Sequence, residues 1–530
     1  MKYHKINKLY LLISILFISI FSACLDDLNT EPLDPDEVTS VTVYEDPNAY
    51  IQVLAKLYAG LAVSGQQGPA GQADISGIDE GFSQYLRQYW KAQEVPTDEA
   101  VIGWSDDEGL LDYNYQGWTA SNQFVAGLYN RIYYQITLCN EFIRETTPEK
   151  LDERGIDAEK QTEIARFRAE ARFLRALSYW HALDVYGGKV PFVTEEDATG
   201  SFLPDPTTNE ALFTYIESEL LEIEEQLVEA RLHEYARADK ATAWTLLAKL
   251  YLNATVYVNQ DRNSDCVTYC QKILDAGYSL ENNYEHLFLT ENHLSNEIIF
   301  PVAFDGSYTK TWGGMTFLVH APVGGTMDPD SFGINGGWDG IRTTKQFVEK
   351  FDAETDGRAL FHTDGQTLEI EEVTTFTNGY AIAKYKNVSP DGTPGVDPEG
   401  NHPDTDYPMF RLADVYLMYA EAVKRGGGGS EGDALMYIND LRERAYGDDS
   451  GNVASYDLDF VLDERARELY WEAHRRTDLI RYGRFTGGDY LWAWKGNTQE
   501  GAATAKYLDL FPIPSSDIIA NPNLIQNTGY

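Results

Sequence analysis

The chain has 530 residues, and its 43% hydrophobic content with 10 Trp, 35 Tyr and 23 Phe excludes a disordered protein. The length favours two closely packed lobes or one elongated repeat domain with insertions. The 84 acidic against 42 basic residues give a net charge of −42. This charge excludes nucleic acid and other anionic polymers as partners, because phosphate binding needs a basic surface, and it favours a neutral or cationic ligand.

Residues 1–23 have the pattern of a signal peptide. Three lysines precede an apolar run, Leu9 to Phe21, and small residues lead to Cys24. At about 1.5 Å per residue this run reaches only ~20 Å, short of the ~30 Å core of a bilayer. The pattern resembles a bacterial lipoprotein signal, in which Cys24 is acylated and becomes the N-terminus. An ordinary secretory signal with an incidental cysteine is the alternative.

The stretch after Cys24 is acidic and contains proline, as expected of a solvated tether over residues 24–40. The main domain is predicted over 41–530. The other cysteines, Cys139, Cys266 and Cys270, are too few for a disulfide framework. Cys266 and Cys270 have a spacing that could serve a metal, but no histidine or second pair stands beside them. We interpret them as buried apolar residues.

Six segments carry apolar residues at three- and four-residue spacing, which predicts helices. They are Ile164–Tyr186, Glu210–Val228, Ala238–Val256, Asp265–Ala276, Phe410–Lys424 and Gly432–Arg444. Helix pairs of about 30 to 40 residues are typical of tetratricopeptide-like repeats, which bury their apolar faces against one another. We expect such repeats over about 124–277 and 407–485.

Two blocks, 64–122 and 278–406, are rich in Gly, Pro, Asn, Asp and aromatic residues. The second contains only short strand-like runs, Ile298–Phe304 and Tyr380–Tyr385. Long loops on a helical scaffold usually carry the ligand site. The predicted fold class is therefore mainly α, a tetratricopeptide-like helical repeat scaffold with a large loop-rich insertion that carries the ligand site.

The segment Leu462–Tyr482 is predicted as one amphipathic helix. Glu464 with Arg467 and Glu472 with Arg476 have the spacing of surface ion pairs, worth a few tenths of a kcal/mol each. The acidity of the whole chain sets aside an RNA-binding role for the adjacent arginines 475 and 476.

Several segments, in this order, resemble the RagB/SusD family of nutrient-uptake lipoproteins. They follow the Cys24 leader and are residues 167–192, 237–254, 407–422, 465–485 and 511–530. Residues 71–81 and 94–99 bring the chain closest to the starch-binding member of the family. The resemblance implies a tetratricopeptide-like scaffold and a loop-built glycan site, without catalysis and without a cofactor. It also implies a lipid-anchored location on the outer membrane, facing the exterior, with a SusC-like TonB-dependent transporter as partner.

Exposed flat aromatics and a few planar polar groups are what a sugar site needs, because a sugar ring has C–H bonds on its face and hydroxyls around its edge. Trp312 and Trp338 are flanked by glycines that leave an indole uncovered. They match two glucan-contacting aromatics of the starch-binding member. Arg87 matches its hydrogen-bonding arginine, and Asp107 stands where that member has asparagine.

One departure concerns the run Ile102-Gly103-Trp104, where the starch-binding member has Trp-Ala-Trp. A missing ring at position 102 is expected to remove a stacking contact worth about 1 kcal/mol. Trp104 is then the candidate substitute. Starch or another α-glucan, a different neutral glycan, and a peptide or other nutrient all remain open as the ligand.

Other chemistries leave weak signals. With 84 acidic residues, no pair can be singled out as the two carboxylates of a glycoside hydrolase. No nucleophile elbow, zinc motif or phosphate-binding loop occurs. Residues 352–357 open like a calcium loop, but Thr363 stands where the loop needs glutamate. A calcium ion elsewhere among the acidic loops stays open. Glycan degradation is the remaining alternative to binding.

Overall fold

The structure is a computed structural model that describes residues 43–530 except 70, 198, 199 and 201. The chain divides into a short unit, Met1–Tyr50, described from residue 43, and a large unit, Ile51–Tyr530. The predicted leader, Cys24 and the predicted tether lie outside the described residues. Among the residues that are described, no helix has the length and apolar character needed to cross a bilayer.

The described chain is mainly helical, which confirms the predicted fold class. In chain order, helices α1 to α18 are Ala49–Ala62, Glu80–Ser83, Tyr85–Glu94, Asp112–Tyr115, Gln123–Glu145, Pro148–Glu153, Ala158–Tyr186, Asn209–Ile223, Lys240–Leu252, Ala254–Val258, Asn263–Asp275, Gly314–His320, Lys345–Val348, Leu412–Lys424, Glu431–Tyr446, Leu458–Leu469, Arg475–Arg481 and Ser515–Ala520.

Short strands pair in twos. In chain order, β1 to β6 are Val101–Ile102, Ile298–Val302, Ile341–Arg342, Phe361–His362, Ala381–Ile382 and Tyr407–Arg411. The pairs β1–β3, β2–β6 and β4–β5 are all antiparallel. Each pair joins two segments that are separated by other parts of the chain. These strands therefore hold loops together and do not form the core of a large sheet.

The helices form one continuous tetratricopeptide-like scaffold. α5 packs on α7, α7 on α8, α8 on α9, α9 on α11, and α11 on α14, which in turn packs on α15 and α16. Because α11 and α14 are neighbours, residues 278–406 form an insertion between two adjacent scaffold helices. The buried cysteines 266 and 270 lie on α11, as expected of apolar residues.

The longest helix, α7, shows how the sequence sets these elements. The Asp157 carboxylate accepts the backbone N–H of Lys160 and caps the first turn. Gly187, with a φ of 73°, ends the helix. The predicted helix Ile164–Tyr186 is confirmed, and it begins six residues earlier than predicted because the cap lies at Asp157.

The prediction of a single helix over Leu462–Tyr482 is wrong. The chain leaves the helix after Leu469 and re-enters one at Arg475, and both Trp471 and Ala473 have a positive φ. The break buries the Trp471 indole, whose Nε1 donates to the Glu99 carbonyl at 3.0 Å. Its ring meets the Trp90 ring edge-on at 5.3 Å. Burying two indoles outweighs the helical preference of the segment.

The predicted surface ion pairs of this segment are also mostly wrong. Glu464 does pair with Arg467, but both are buried, and Glu472 pairs with Lys384 and Arg411 instead of Arg476. The wider network is a set of buried arginines and glutamates from α15, α16, β6 and the loops. Its members are Glu297, Arg358, Arg411, Arg442, Arg444, Glu464, Glu468 and Glu472. These carboxylates are held in place by several guanidinium hydrogen bonds each, which compensates for the cost of burying charge.

Candidate functional site

The pairing of β1 with β3 brings two of the predicted site residues together. Ile102 lies opposite Ile341, and the Gly103 N–H continues the ladder by donating to the Gly340 carbonyl at 2.8 Å. Trp104 therefore emerges beside Trp338, and its Nε1 donates to the Trp338 carbonyl at 3.1 Å. A Cβ on Gly340 would lie 2.2 Å from the Trp104 ring, so only glycine fits there.

Trp312 is positioned by a single buried carboxylate. Glu80 Oε2 accepts the Trp312 N–H at 3.1 Å, and its Oε1 accepts the Thr311 hydroxyl at 2.7 Å. The same Oε1 also accepts the Ser64 hydroxyl. Glu80 thus connects the loop at Ser64 with the loop that carries Thr311 and Trp312. Helix α12 begins directly after this point and packs on α3.

Trp104, Trp312 and Trp338 form a row that we term the tryptophan platform. The ring centroids of Trp104 and Trp338 are 6.2 Å apart with planes inclined by 49°. Those of Trp312 and Trp338 are 6.4 Å apart and inclined by 57°. All three side chains are half-buried, whereas Trp90, Trp471 and Trp492 are fully buried in the interior. The platform therefore offers non-coplanar aromatic surface to solvent.

Two buried histidines lie against the platform. His320 stacks on Trp338 with centroids 4.9 Å apart and planes inclined by only 22°. His402 lies 5.2 Å from Trp312 at 44°. Both imidazoles are almost inaccessible to solvent. Each imidazole covers part of one indole and so restricts the position of that indole. The site therefore contains supporting rings as well as rings that face solvent.

His320 also holds two loops through its ring nitrogens. Nδ1 lies 2.7 Å from the Gly336 carbonyl oxygen and Nε2 lies 3.0 Å from that of Asn401. A neutral ring can donate to only one of these oxygens. Burial lowers the pKa of His320, while the two carbonyls act in the opposite direction.

Arg87 lies on α3 and is nearly buried, with 4% of its surface exposed. Its Nη1 donates to the Trp312 carbonyl at 3.0 Å. The guanidinium carbon lies 3.9 Å from the centroid of the Phe82 ring, 4.4 Å from that of Phe317 and 5.8 Å from that of Trp104. Arg87 thus links two rings of the platform, and its buried Nε has no hydrogen-bond partner among the described residues.

The charge of Arg87 is maintained by nearby carboxylates. Burial lowers the pKa of Arg87 to about 9, while Asp79, Asp107 and Glu80 raise it. Asp107 is half-buried and lies close enough to interact with the guanidinium. The structure therefore brings all five predicted ligand residues, Trp104, Trp312, Trp338, Arg87 and Asp107, into one region.

The expected loss of a stacking ring at position 102 stays a prediction. Ile102 lies in β1 and is fully buried, and its backbone N–H and carbonyl both bond the Asn114 side-chain amide. The isoleucine itself contributes nothing to the exposed surface of the platform. Trp104 is a platform member in its own right.

Sequence reasoning missed the residues that support the site. Glu80, His320 and His402 carry no local motif. Arg87 is predicted, but the helix that carries it, α3, lies inside a block predicted to be loop-rich. All ten residues of α3 are buried. The roles of the supporting histidines become visible only once distant loops are placed.

The platform can bind a ring-shaped ligand with an apolar face. Indole faces stack on C–H surfaces, and the Arg87 guanidinium and Asp107 carboxylate offer a donor and an acceptor for hydroxyls. Within the described parts of the chain, no group of three or more His, Cys, Asp or Glu side chains is arranged to hold a metal ion. The indole faces, the guanidinium and the carboxylate offer a ligand stacking and hydrogen-bonding contacts.

Fold and site together define a helical-repeat protein that presents a loop-built aromatic surface. The sequence profile of the SusD family matches residues 354–530. The starch-binding protein SusD of Bacteroides thetaiotaomicron is 35% identical over 560 aligned positions, which cover 96% of each chain. The chain belongs to the SusD family.

Solved structures share the fold at lower sequence identity. Surface glycan-binding protein A of Bacteroides thetaiotaomicron, solved in complex with laminarihexaose, has a TM-score of 0.69 and 19% identity, covering 91% of this chain and 99% of that chain. A SusD superfamily protein of Parabacteroides distasonis has a TM-score of 0.68 and 21% identity, covering 93% and 100%. At these identities the likeness establishes the fold alone.

Proposed function

We propose that this protein is a cell-surface glycan-binding lipoprotein that captures oligosaccharides without cleaving them. The observation that carries the proposal is the tryptophan platform, three half-buried indoles spaced 6.2 and 6.4 Å apart. Trp104, Trp312 and Trp338 would stack on sugar rings, while Arg87 and Asp107 would contact hydroxyls at the platform edge. Family membership supports this use of the site.

An α-glucan such as starch is the glycan we propose first. The indole planes are inclined by 49° and 57°, so a flat ribbon-like chain cannot lie against all three rings at once. A chain that curves can follow the changing direction of the rings. The 35% identity with a protein named for starch binding supports the same choice.

Delivery to a SusC-like TonB-dependent transporter completes the proposal. A site of a few stacked rings gives affinities of about micromolar to millimolar, weak enough for release. Tethering many such sites beside a pore through an acylated Cys24, on the outer face of the outer membrane, raises capture by effective concentration. The acyl anchor and the transporter rest on the sequence resemblance.

The first experiment is affinity electrophoresis of the purified protein in gels with amylopectin, laminarin or no polysaccharide. Retardation by amylopectin alone supports the α-glucan proposal, and retardation by laminarin alone replaces it with a β-glucan. Free migration in every neutral polysaccharide, combined with binding to a peptide mixture, would give the protein the alternative role of a peptide-binding lid. Release of reducing sugar would instead establish an enzyme.

The variant Trp338→Ala should weaken binding of maltoheptaose at least tenfold, because Trp338 is the central ring and contacts both neighbours. Isothermal titration calorimetry measures the effect. Trp244→Ala is the matched control, since Trp244 is also half-buried but lies on scaffold helix α9. Equal affinity of Trp338→Ala and the unmodified protein would move the site elsewhere.

A further inference from the structure

We propose that a cavity of this protein, distinct from the tryptophan platform, binds a small carboxylate with an apolar body. The cavity has a volume of about 570 Å³ and lies between α1, α5, β2 and the loop that leads to Trp312. This volume is within the ~300–1,000 Å³ range of ligand pockets. None of the three platform tryptophans lines the cavity, so the proposal is independent of glycan binding.

The walls of the cavity are mainly apolar. Apolar residues of α1 and β2 form much of its lining, among them Ala55, Ala59, Ala62, Phe300 and Val302. Tyr308 stands at the same cavity with 87% of its surface exposed. An exposed aromatic beside an apolar recess indicates a surface that gains from contact with an apolar ligand.

Two lysines give the cavity its charge. Among the lysines in the described chain, only Lys56, Lys91 and Lys310 make neither a side-chain hydrogen bond nor an ion pair. Lys91 is fully buried against the rings of Phe82 and Phe124. Lys56 and Lys310 come from segments more than 250 positions apart, and both line this one cavity.

The pairing pattern of the whole chain makes these two lysines unusual. Acidic residues outnumber basic ones 84 to 42, and every other described lysine except Lys91 has an oxygen partner. Two lysines that line one cavity and have no carboxylate partner are complemented by an anionic group of a ligand.

Most other polar groups at the cavity already have hydrogen-bond or ion-pair partners within the protein. The Tyr58 hydroxyl donates to Glu170 at 2.6 Å, and the Thr309 hydroxyl accepts the Asp305 N–H at 3.2 Å. Asp74 lies 3.6 Å from Arg131 and is neutralised by it. The lysines are therefore the principal groups left for a ligand.

This distribution selects the class of ligand. A sugar in this cavity would exchange many water hydrogen bonds for few protein ones, at a cost for each unpaired hydroxyl. An acyl or aryl carboxylate needs only an apolar wall for its body and a cation for its head group. A single carboxylate is also compatible with the net charge of −42, which disfavours polyanions.

The test uses isothermal titration calorimetry with dodecanoate below its micelle-forming concentration. Dodecyltrimethylammonium, with the same chain and the opposite charge, is the ligand control. We expect saturable binding of dodecanoate only, weakened about tenfold by Lys56→Gln or Lys310→Gln and further by both. Ala59→Phe, which fills the cavity, should also abolish binding. Lys506→Gln, at an exposed lysine outside the cavity, should leave it unchanged.

Several results would overturn the proposal. They are an absence of saturable dodecanoate binding, equal binding of the cationic amphiphile, or unchanged affinity in the Lys56→Gln, Lys310→Gln double variant. Competition between dodecanoate and maltoheptaose would assign the binding to the tryptophan platform instead. Because glycan binding is measured separately, failure of one proposal leaves the other standing.

Discussion

His320 determines how firmly the central ring of the tryptophan platform is held. Its imidazole stacks on Trp338, and its two nitrogens face the carbonyl oxygens of Gly336 and Asn401. The histidine therefore acts on the ligand through Trp338 and the loops on either side. It is a positioning residue, and its two contributions, stacking and hydrogen bonding, are separable by substitution.

We expect His320→Ala to weaken maltoheptaose binding about five- to tenfold, since the indole loses a contact worth about 1 kcal/mol. His320→Phe keeps a ring behind Trp338 but removes both polar contacts, and it should retain more of the affinity. Calorimetric titration of both variants measures the difference, with circular dichroism to establish that each is folded. Equal affinity of His320→Ala and unmodified protein would show that Trp338 needs no support.

Residue identity and local sequence context point to the solvent-facing tryptophans of the candidate site. They do not point to the buried residues that hold these tryptophans in place. The glycine-flanked Trp312 and Trp338 were recognisable from local context, and the structure places them 6.4 Å apart. Glu80 and His402 were not recognisable, because a buried carboxylate or imidazole acquires its role only from segments that are distant in sequence. The same limit applies to position 102, where the sequence predicts a lost stacking ring but does not reveal that Ile102 is buried in β1.

At the scale of elements, α3 meets the break between α16 and α17 through two buried carboxyls. Glu94, at the end of α3, accepts the His474 N–H at 3.1 Å, and Glu99 accepts the Trp471 N–H at 3.1 Å. Burial raises the pKa of Glu94 to about 7, and burial together with the neighbouring Glu94 raises that of Glu99. The pair therefore holds a proton near neutral pH.

This pair makes stability depend on pH. The folded-state pKa of Glu94, about 7, is above the unfolded value of about 4.3. The protonated carboxyl thus favours folding, and its contribution is complete below about pH 4 and is lost as the pH rises through 7. Glu94→Gln removes the titration and keeps an acceptor for His474.

We predict that the free energy of unfolding of Glu94→Gln, relative to the unmodified protein, rises between pH 5 and pH 8. Urea titrations at pH 5, 6, 7 and 8 measure the difference. Glu234→Gln, at an exposed carboxylate with 77% of its side chain accessible, is the control and should show no such trend. A difference independent of pH would show that Glu94 is ionised in the folded state throughout this range.

The sequence pattern predicts where helices occur, but it does not predict where a helix is interrupted. The spacing of apolar residues identified α7, α8, α9, α11, α14 and α15, because apolar residues recur at helical spacing along each of them. It failed at Leu462–Tyr482, where Trp471 gains more from packing on Trp90 than the backbone gains from an unbroken helix. It also failed for the buried ions, since Glu464 and Arg467 have the same spacing on a surface helix as in this interior network.

At the scale of the whole molecule, the platform and the scaffold lie in the unit Ile51–Tyr530, and the proposed anchor, Cys24, precedes that unit in sequence. We expect Cys24→Ala to leave maltoheptaose affinity unchanged in vitro and to abolish display on the cell surface. Protease accessibility on intact cells measures display, with Cys139→Ser, at a buried cysteine, as the control. Normal display of Cys24→Ala would exclude acylation at this position as the anchor.

The hydrogen bonds that hold the platform span great lengths of sequence. Trp104 bonds Trp338 across 234 positions, and Arg87 bonds Trp312 across 225. Contacts between residues so far apart in sequence form only after long loops have closed. Chains in which such contacts dominate fold slowly. Assembly of the row of indoles therefore requires segments from both loop-rich blocks, 64–122 and 278–406, to be in place together. Retention on an immobilised glycan would thus be a test of completed folding, which separates native molecules from misfolded ones during purification.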